Sequence, residues 1–227
     1  MKRILTIVGA AALLLSCEKD TIKQYSGTYR SKVLEVSTIQ MFTPKGEVTD
    51  AAVVKSFIKR RQSNTSLFYA DGNQSVEGKL EIAFLTDNKA QVTDSKGYDA
   101  RTVIGRGTDI YLEAYTTSVR MNADDEPLFD KVVTFFPPNS STTLVPQTTG
   151  YYSKTEFRHC YFAKESGDAI RFPQLSYLYV KVGADKKVVK KEEVKQVNNM
   201  LGSDIPNKLT EGDTLAVQQA FLVLQKI

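Results

Sequence analysis

Tryptophan is absent from this sequence, and histidine and cysteine are scarce. His159 is the one histidine, which excludes a zinc site built from several histidines and leaves one candidate for histidine-based catalysis. Cys160 follows it directly. Because adjacent side chains of a strand point to opposite faces, these two residues form a poor Cys–His catalytic pair. The 11 Tyr and 11 Phe must therefore supply the aromatic bulk of the protein.

Common catalytic and cofactor motifs are also missing. The sequence contains no Gly-x-Ser-x-Gly nucleophile elbow, no phosphate-binding loop and no Cys-x-x-Cys pair. Gly105-Arg106-Gly107 lacks the third glycine of a dinucleotide-binding fingerprint, so we predict a bend between strands there. We therefore assign no catalytic residue and no cofactor from the sequence.

The longest hydrophobic run lies at the N-terminus, over residues 4–15, directly after Lys2 and Arg3. A helix of this length rises only ~18 Å, which is too short for a hydrocarbon core of ~30 Å. A short cationic segment followed by a short apolar run is typical of a secretory signal peptide rather than of a resident membrane span.

The residues that end this run, Leu14-Leu15-Ser16-Cys17, resemble the lipobox of bacterial lipoproteins. The resemblance implies that residues 1–16 are a signal peptide and that Cys17 becomes an acylated (palmitate-bearing) first residue, anchored in a lipid bilayer. Two or more acyl chains anchor a protein stably, whereas one chain binds only marginally. Residues 17–24 then form the lipidated cysteine and a polar tether.

Two shorter patterns resemble signals of Bacteroidota lipoproteins. Glu18-Lys19-Asp20 is similar to their surface-export segments, which implies an outer-membrane location and leaves periplasmic and cell-surface display both open. The triplets around Thr21 and Thr214 resemble the O-glycosylation sequon of these bacteria, so both threonines are candidate modification sites.

Charge and cysteine content narrow the partners of the remaining chain. The formal net charge of +4 falls to +2 once Lys2 and Arg3 are removed, and this balance, with the compartment, argues against a nucleic-acid partner. If Cys17 is lipidated, Cys160 has no partner for an intramolecular disulfide. We expect a buried, inert thiol, with a reactive thiol or an intermolecular bridge as the alternatives.

Residues 25–227 are predicted to form a single β-rich domain, with the polar loop at 137–150 as the candidate internal boundary. Alternate residues are apolar in two runs, Leu80/Ile82/Phe84 and Ile110/Leu112/Ala114, which indicates half-buried strands. Turn signals at 71–73, 87–88 and 95–97 separate such runs and favour an antiparallel meander. Further strands are predicted at 25–37, 39–42, 131–136, 151–163, 175–182 and 213–225.

Two short helices are predicted. One begins at Thr49 or Asp50 and ends near Arg61, with Val53, Val54, Phe57 and Ile58 on one face. The other covers residues 190–201 and ends at Gly202, because Val194, Val197 and Leu201 follow a helical spacing. The predicted fold is thus mainly β: an antiparallel β-barrel or sandwich with two short helices.

Gly27-Thr28-Tyr29 resembles the opening of lipocalin-like bacterial proteins, although Tyr29 stands where that family has tryptophan. The resemblance covers only these few residues, and it implies a barrel rather than a particular ligand.

Three further clusters are candidate binding features. Asp124, Asp125 and Glu126 lie in an acidic loop and are candidate calcium ligands, although their spacing favours a solvated loop. A basic group around residues 186–195 fits either anionic headgroups or a salt-bridged helix face, and the interrupting Glu192 and Glu193 favour the latter. Paired aromatics such as Tyr161-Phe162 are candidates for stacking on sugars or lining a cavity.

Taken together, these features predict a membrane-anchored envelope lipoprotein. Its domain is predicted to be a non-enzymatic binding module for a small ligand, a glycan or an envelope protein. The alternative is a carboxylate-dependent hydrolase of envelope glycans, which would require two carboxylates ~5–9 Å apart.

Overall fold

The structure, a computed structural model, describes residues 24–122, 140–147 and 150–227. Within these ranges the chain forms thirteen strands and two helices. The strands are β1 (Gly27–Val36), β2 (Gln40–Thr43), β3 (Gly46–Glu47), β4 (Gln74–Ser75), β5 (Leu80–Phe84), β6 (Lys89–Asp94), β7 (Gly97–Arg106), β8 (Asp109–Asn122), β9 (Ser140–Gln147), β10 (Gly150–Ser166), β11 (Ala169–Val182), β12 (Val188–Val197) and β13 (Asp213–Lys226). The helices are α1 (Ala51–Arg61) and α2 (Ile205–Lys208).

Eight antiparallel strands close into a barrel in the order β1, β5, β6, β7, β8, β10, β11 and β13, and β13 pairs back with β1. The predicted mainly β fold is therefore confirmed, and the closure makes it a barrel. Strands β5 to β8 form the expected meander. Short turns connect them at Asp87-Asn88, where both residues have positive φ, and at Ser95-Lys96 and Gly107-Thr108.

Residues that the period-two pattern selected form part of the barrel interior. Ile82, Ile110 and Leu112 are fully buried there, together with Ile170 and Leu224. Burying each such side chain contributes about 1.5–3 kcal/mol to folding. These residues lie closest to the barrel end that carries the β5–β6 and β7–β8 turns, so this end is a packed core.

Strands β11 and β13 are longer than the barrel wall and continue beyond it as the centre of an extension of the same sheet. There β12 pairs with β11, and β2 pairs with β13. One face of this extension is covered by α1, and the other buries Tyr177, Leu215 and Val217 against Ile205 of α2. The barrel and this extension thus share β11 and β13 and form one continuous structure.

Helix α1 confirms the first helix prediction. Asp50 caps it by accepting hydrogen bonds from the backbone N–H groups of Ala52 (2.8 Å) and Val53 (3.2 Å). Val54 is buried and Phe57 packs beside it against β11 and β13. Val53, expected on this face, is exposed.

The second helix prediction is wrong, because residues 188–197 form strand β12 along the edge of β11. A β-bulge explains the misleading spacing. Two steps along β11, from Leu175 to Tyr177, match three steps along β12, from Val197 to Val194. The extra residue, Gln196 with φ of 54°, brings both valines onto the same apolar cluster. The actual second helix is α2, which begins after Asp204.

Strand β13 confirms the predicted strand over 213–225, with Leu215, Val217, Phe221 and Val223 on one face, but both of its faces are covered. Ala216 and Leu224 on the opposite face are fully buried against α1 and the barrel interior.

The remaining predictions concern the middle of the chain. Residues 140–147, expected within a polar loop, form β9 and pair with β10. The β-branched Thr142, Thr143 and Val145 are compatible with a strand once a partner is present. The predicted strand at 131–136 and the acidic loop after Asn122 lie outside the described residues.

Candidate functional site

A cavity of about 580 Å³ opens at one end of the barrel, which we call the barrel mouth. Its floor is apolar, formed by Leu80, Val92 and Leu222 with the rings of Tyr161 and Phe172. Its rim is polar and consists of Tyr69, Gln74, Lys79, Asp94, Ser95, Lys96, Gln174, Gln196 and Asn198. The volume lies within the range of small-molecule sites, about 300–1,000 Å³.

The mouth opens on one side because β1 changes partner. Its first half pairs with β5 up to Arg30, and its second half pairs with the short β4 from Val33. Ser31, at the change, is fully buried, and its hydroxyl donates to the Val76 carbonyl (2.8 Å) and accepts from the Leu80 N–H (3.0 Å). The intervening residues 76–79 therefore form part of the rim.

On the other side the mouth opens where β11 exchanges β10 for β12. The pairing with β10 stops at Arg171, and that with β12 begins at Leu175. Asn198 bridges the gap: its amide group donates to the carbonyls of Phe162 (2.9 Å) and Pro173 (3.0 Å) and accepts from the Phe162 N–H (2.6 Å). One side chain thus replaces the missing strand pairing beside the cavity.

A buried arginine supports the aromatic wall. The Arg101 guanidinium lies 4.6 Å from the centre of the Tyr161 ring and donates to the His159 carbonyl (2.8 Å). It also forms an ion pair with Asp99. Contacts of this type hold a ring in one orientation, so the Tyr161 wall of the cavity is preorganised.

The barrel mouth lies at the end of the barrel opposite to Gly27, the first residue of β1. Gly27 pairs with Phe84 at the end with the β5–β6 turn, whereas Leu34, further along β1, lines the cavity. Leu34 lies seven residue steps after Gly27 along the strand, or ~23 Å. A groove of about 890 Å³ lies at the Gly27 end, but there Tyr25 stacks on Phe84 (5.2 Å) above the packed core.

Most sequence-predicted sites are not brought to this cavity. Cys17, Thr21 and the candidate calcium ligands Asp124, Asp125 and Glu126 lie outside the described residues. Thr214 is half-buried within β13, between the buried residues Asp213 and Leu215. No cluster of metal-ligating side chains occurs among the described residues.

His159 is exposed at a bulge of β10, and its backbone carbonyl is the group that contacts Arg101. Cys160 is half-buried, and burial, with the nearby Glu113, raises the pKa of its thiol to about 12. The thiol is therefore protonated near neutral pH, which makes it a weak nucleophile.

The basic group that was expected on a helix lies instead on β12 and the preceding turn. Lys191 pairs with Glu193 (2.8 Å) and contacts Ser63 after α1, while the Glu193 carboxylate accepts from the Ser63 and Asn64 N–H groups. These contacts attach the 62–66 segment to the sheet.

The aromatic pairs have divided roles. Tyr161 lines the cavity, whereas Tyr177 and Tyr179 are buried and donate hydrogen bonds to Glu192 (2.9 Å) and Asp213 (2.8 Å). Sequence reasoning missed the rim amides and lysines. Ser95-Lys96 was recognisable as a turn, but no local signal places it on the same cavity as Lys79 and Asn198.

Comparisons with protein-family models, with curated proteins and with solved structures found no match to this chain. The cavity geometry therefore carries the functional argument.

Proposed function

We propose that this protein is a lipid-anchored lipoprotein of the bacterial envelope that binds a small ligand in the barrel mouth without transforming it. The observation that carries the proposal is the cavity of about 580 Å³ with an apolar floor and a polar rim. Binding sites for small molecules combine apolar walls with a few polar groups that fix the orientation of the ligand.

The direction of the mouth suits a tethered binding protein. The lipobox-like residues end at Cys17, and the first described strand begins at Gly27 at the far end of the barrel. A chain anchored through Cys17 would thus present the mouth away from its own membrane, where a ligand can enter. Among the described residues, no helix is long and apolar enough to cross a bilayer.

The rival proposal, a glycan hydrolase, receives less support from the carboxylates near the mouth. Asp94 is the one carboxylate among the described residues of the rim, and it accepts a hydrogen bond from the Lys96 N–H (2.7 Å). An adjacent groove, which shares Lys79, Asp94 and Ser95 with the mouth, also contains Glu77 and Glu81. Glu81 pairs with Arg30 (2.7 Å), and Lys32, through a hydrogen bond and its charge, lowers the pKa of Glu77. A general acid requires the opposite shift.

Native mass spectrometry tests ligand binding directly. The protein would be isolated from the envelope of its own host and its mass compared before and after denaturation. We expect a non-covalent additional mass that is lost on denaturation. A mass equal to that of the bare chain in repeated preparations would contradict the proposal and favour a protein-contact role.

A cavity-filling variant provides the control. Leu222→Trp places an indole in the cavity from a half-buried wall position, and Leu80→Trp does the same from β5. We expect either variant to lose the additional mass while keeping the far-ultraviolet circular dichroism of the barrel. If both folded variants retain the mass, the ligand lies elsewhere.

A further inference from the structure

The rim of the barrel mouth carries uncompensated positive charge. Lys79 and Lys96 are both exposed at the rim, and neither ammonium group forms an ion pair in the described part of the chain. The neighbouring Asp94 is the one acidic group of the described rim, and its carboxylate already accepts from the Lys96 N–H. The rim therefore has a net positive charge of one and two free ammonium groups.

Below the rim the environment changes abruptly to hydrocarbon. Leu80 follows Lys79 directly, and Val92 lies two residues before Asp94, so at most two residues of chain separate the rim charges from the apolar floor. Beneath this floor Ile82, Ile110 and Leu112 are fully buried and fill the barrel. A ligand therefore enters only the upper layer of the barrel and keeps its other end at the rim.

A molecule that satisfies both zones is apolar at one end and anionic at the other. We propose that the barrel mouth binds a single-chain amphiphile with an anionic head, its apolar chain against Val92, Phe172 and Leu222 and its head near Lys79 and Lys96. This inference rests on the proposed ligand-binding function and adds the chemical class of the ligand. A lysine ammonium has three donors that suit a carboxylate or a phosphate equally.

The neutral side of the rim supports this orientation. Gln174, Gln196 and Asn198 line the wall opposite Lys79 and Lys96, where β11 exchanges β10 for β12. Asn198 uses its amide group on backbone atoms and has no charge to attract a cation. A cationic head would therefore meet two lysines with only Asp94 in its favour.

Isothermal titration calorimetry with matched probes tests the proposal. The protein from residue 18 onward is suitable, because every strand that closes the barrel lies within residues 27–226. The probes are decanoate, decyl phosphate, decanol and decyltrimethylammonium, each below its micellar concentration. We expect both anions to bind at least about tenfold more tightly than the alcohol and the cation, with a preference that weakens as salt rises.

Two double variants separate specific from general charge effects. Lys79→Gln/Lys96→Gln removes the rim charges, and Lys45→Gln/Lys89→Gln removes two exposed lysines outside the mouth. Only the first should lose the roughly tenfold preference for the anions. If both double variants prefer the anionic probes equally, or if the unmodified protein shows no such preference, the assignment of ligand class is overturned.

The cavity-filling variant Leu222→Trp distinguishes a wrong ligand class from a wrong proposed function. If Leu222→Trp abolishes binding of all four probes but Lys79→Gln/Lys96→Gln leaves their relative affinities unchanged, the mouth binds a ligand of another class. If no probe binds but the native protein carries an additional mass, the ligand class alone is overturned; if no additional mass is found either, or if that mass is unchanged in Leu222→Trp and Leu80→Trp, the ligand-binding function is itself contradicted. A preference between decanoate and decyl phosphate identifies the head group.

Discussion

Gln218 on β13 holds the segment after α1 onto the barrel, and its replacement should destabilise the protein strongly. The side chain is 1% exposed. Its Oε1 accepts from the Tyr69 N–H (2.7 Å), and its Nε2 donates to the carbonyls of Ser37 (3.1 Å) and Tyr69 (3.2 Å). Gln218→Leu keeps the volume but removes all three hydrogen bonds.

The magnitude follows from the groups left without a partner. A buried polar group that loses its hydrogen bond costs about 1–3 kcal/mol, with an N–H more costly than a carbonyl. Tyr69 is half-buried, so water can reach part of this site after the change. We therefore expect Gln218→Leu to lower the free energy of unfolding by about 3 kcal/mol, a large share of the ~5–15 kcal/mol of a typical domain.

Urea unfolding of the protein from residue 18 onward, followed by circular dichroism, measures this loss. Gln91→Leu is the matched control, because Gln91 makes one long side-chain hydrogen bond, to Thr93 (3.5 Å). The control should lose less than about 1 kcal/mol. Equal losses in the two variants, with equal denaturant slopes, would refute the assignment of Gln218 as the residue that holds this segment.

Three further predictions concern the extension of β11 and β13 beyond the barrel and the lipid anchor. Gly212→Ala should destabilise the protein by about 1–3 kcal/mol more than Gly72→Ala in urea unfolding, because an added Cβ would lie 2.2 Å from the Val182 carbonyl oxygen, whereas Gly72 has open space at a similarly positive φ. Burial alone would raise the pKa of Asp213, but hydrogen bonds from Thr210 and Tyr179 hold it below its usual value. The ionised carboxylate therefore stabilises the fold fully above the unfolded pKa of about 3.9, and this stabilisation is lost as the pH falls through the lower folded pKa. The difference in unfolding free energy between the unaltered protein and Asp213→Asn should thus shrink in acid. Finally, Cys17→Ala should move the protein from the detergent phase to the aqueous phase in a phase-separation assay, because the acylated residue is removed.

Each of these has a clear contrary result. Equal losses for the two glycine variants would mean that the contact between Gly212 and Val182 tolerates a methyl group. A constant difference in stability between the unaltered protein and the Asp213→Asn variant down to low pH would mean that this carboxylate is not stabilised by its partners. Recovery of the unaltered protein in the aqueous phase would contradict the lipid anchor.

Local patterns predicted the elements whose structure depends on local rules. The alternation of Leu80, Ile82 and Phe84 was enough for β5, because that strand buries one face more deeply than the other. The capping carboxylate of Asp50 and the apolar face behind it were enough for α1. The helical spacing of apolar residues gave a wrong prediction at β12, because the bulge at Gln196 places valines three residues apart on one face of a strand.

Closure of the barrel and the position of its mouth depend on contacts between distant residues. Strand β1 pairs with β13 at the other end of the chain, from Tyr29 opposite Lys226 to Val36 opposite Ala220. No local signal records that pairing, nor the exchange of β10 for β12 along β11 that Asn198 bridges. The candidate site lies at these partner changes, so its residues were not identifiable from their sequence neighbours.

The central claim, that the barrel mouth holds a small ligand, is tested most directly by a crystal structure of the protein isolated from its own envelope. We expect density for a bound molecule between Val92, Tyr161 and Leu222, with its polar end toward the rim. A cavity that contains only water, or that is filled by the protein's own side chains, would contradict the claim.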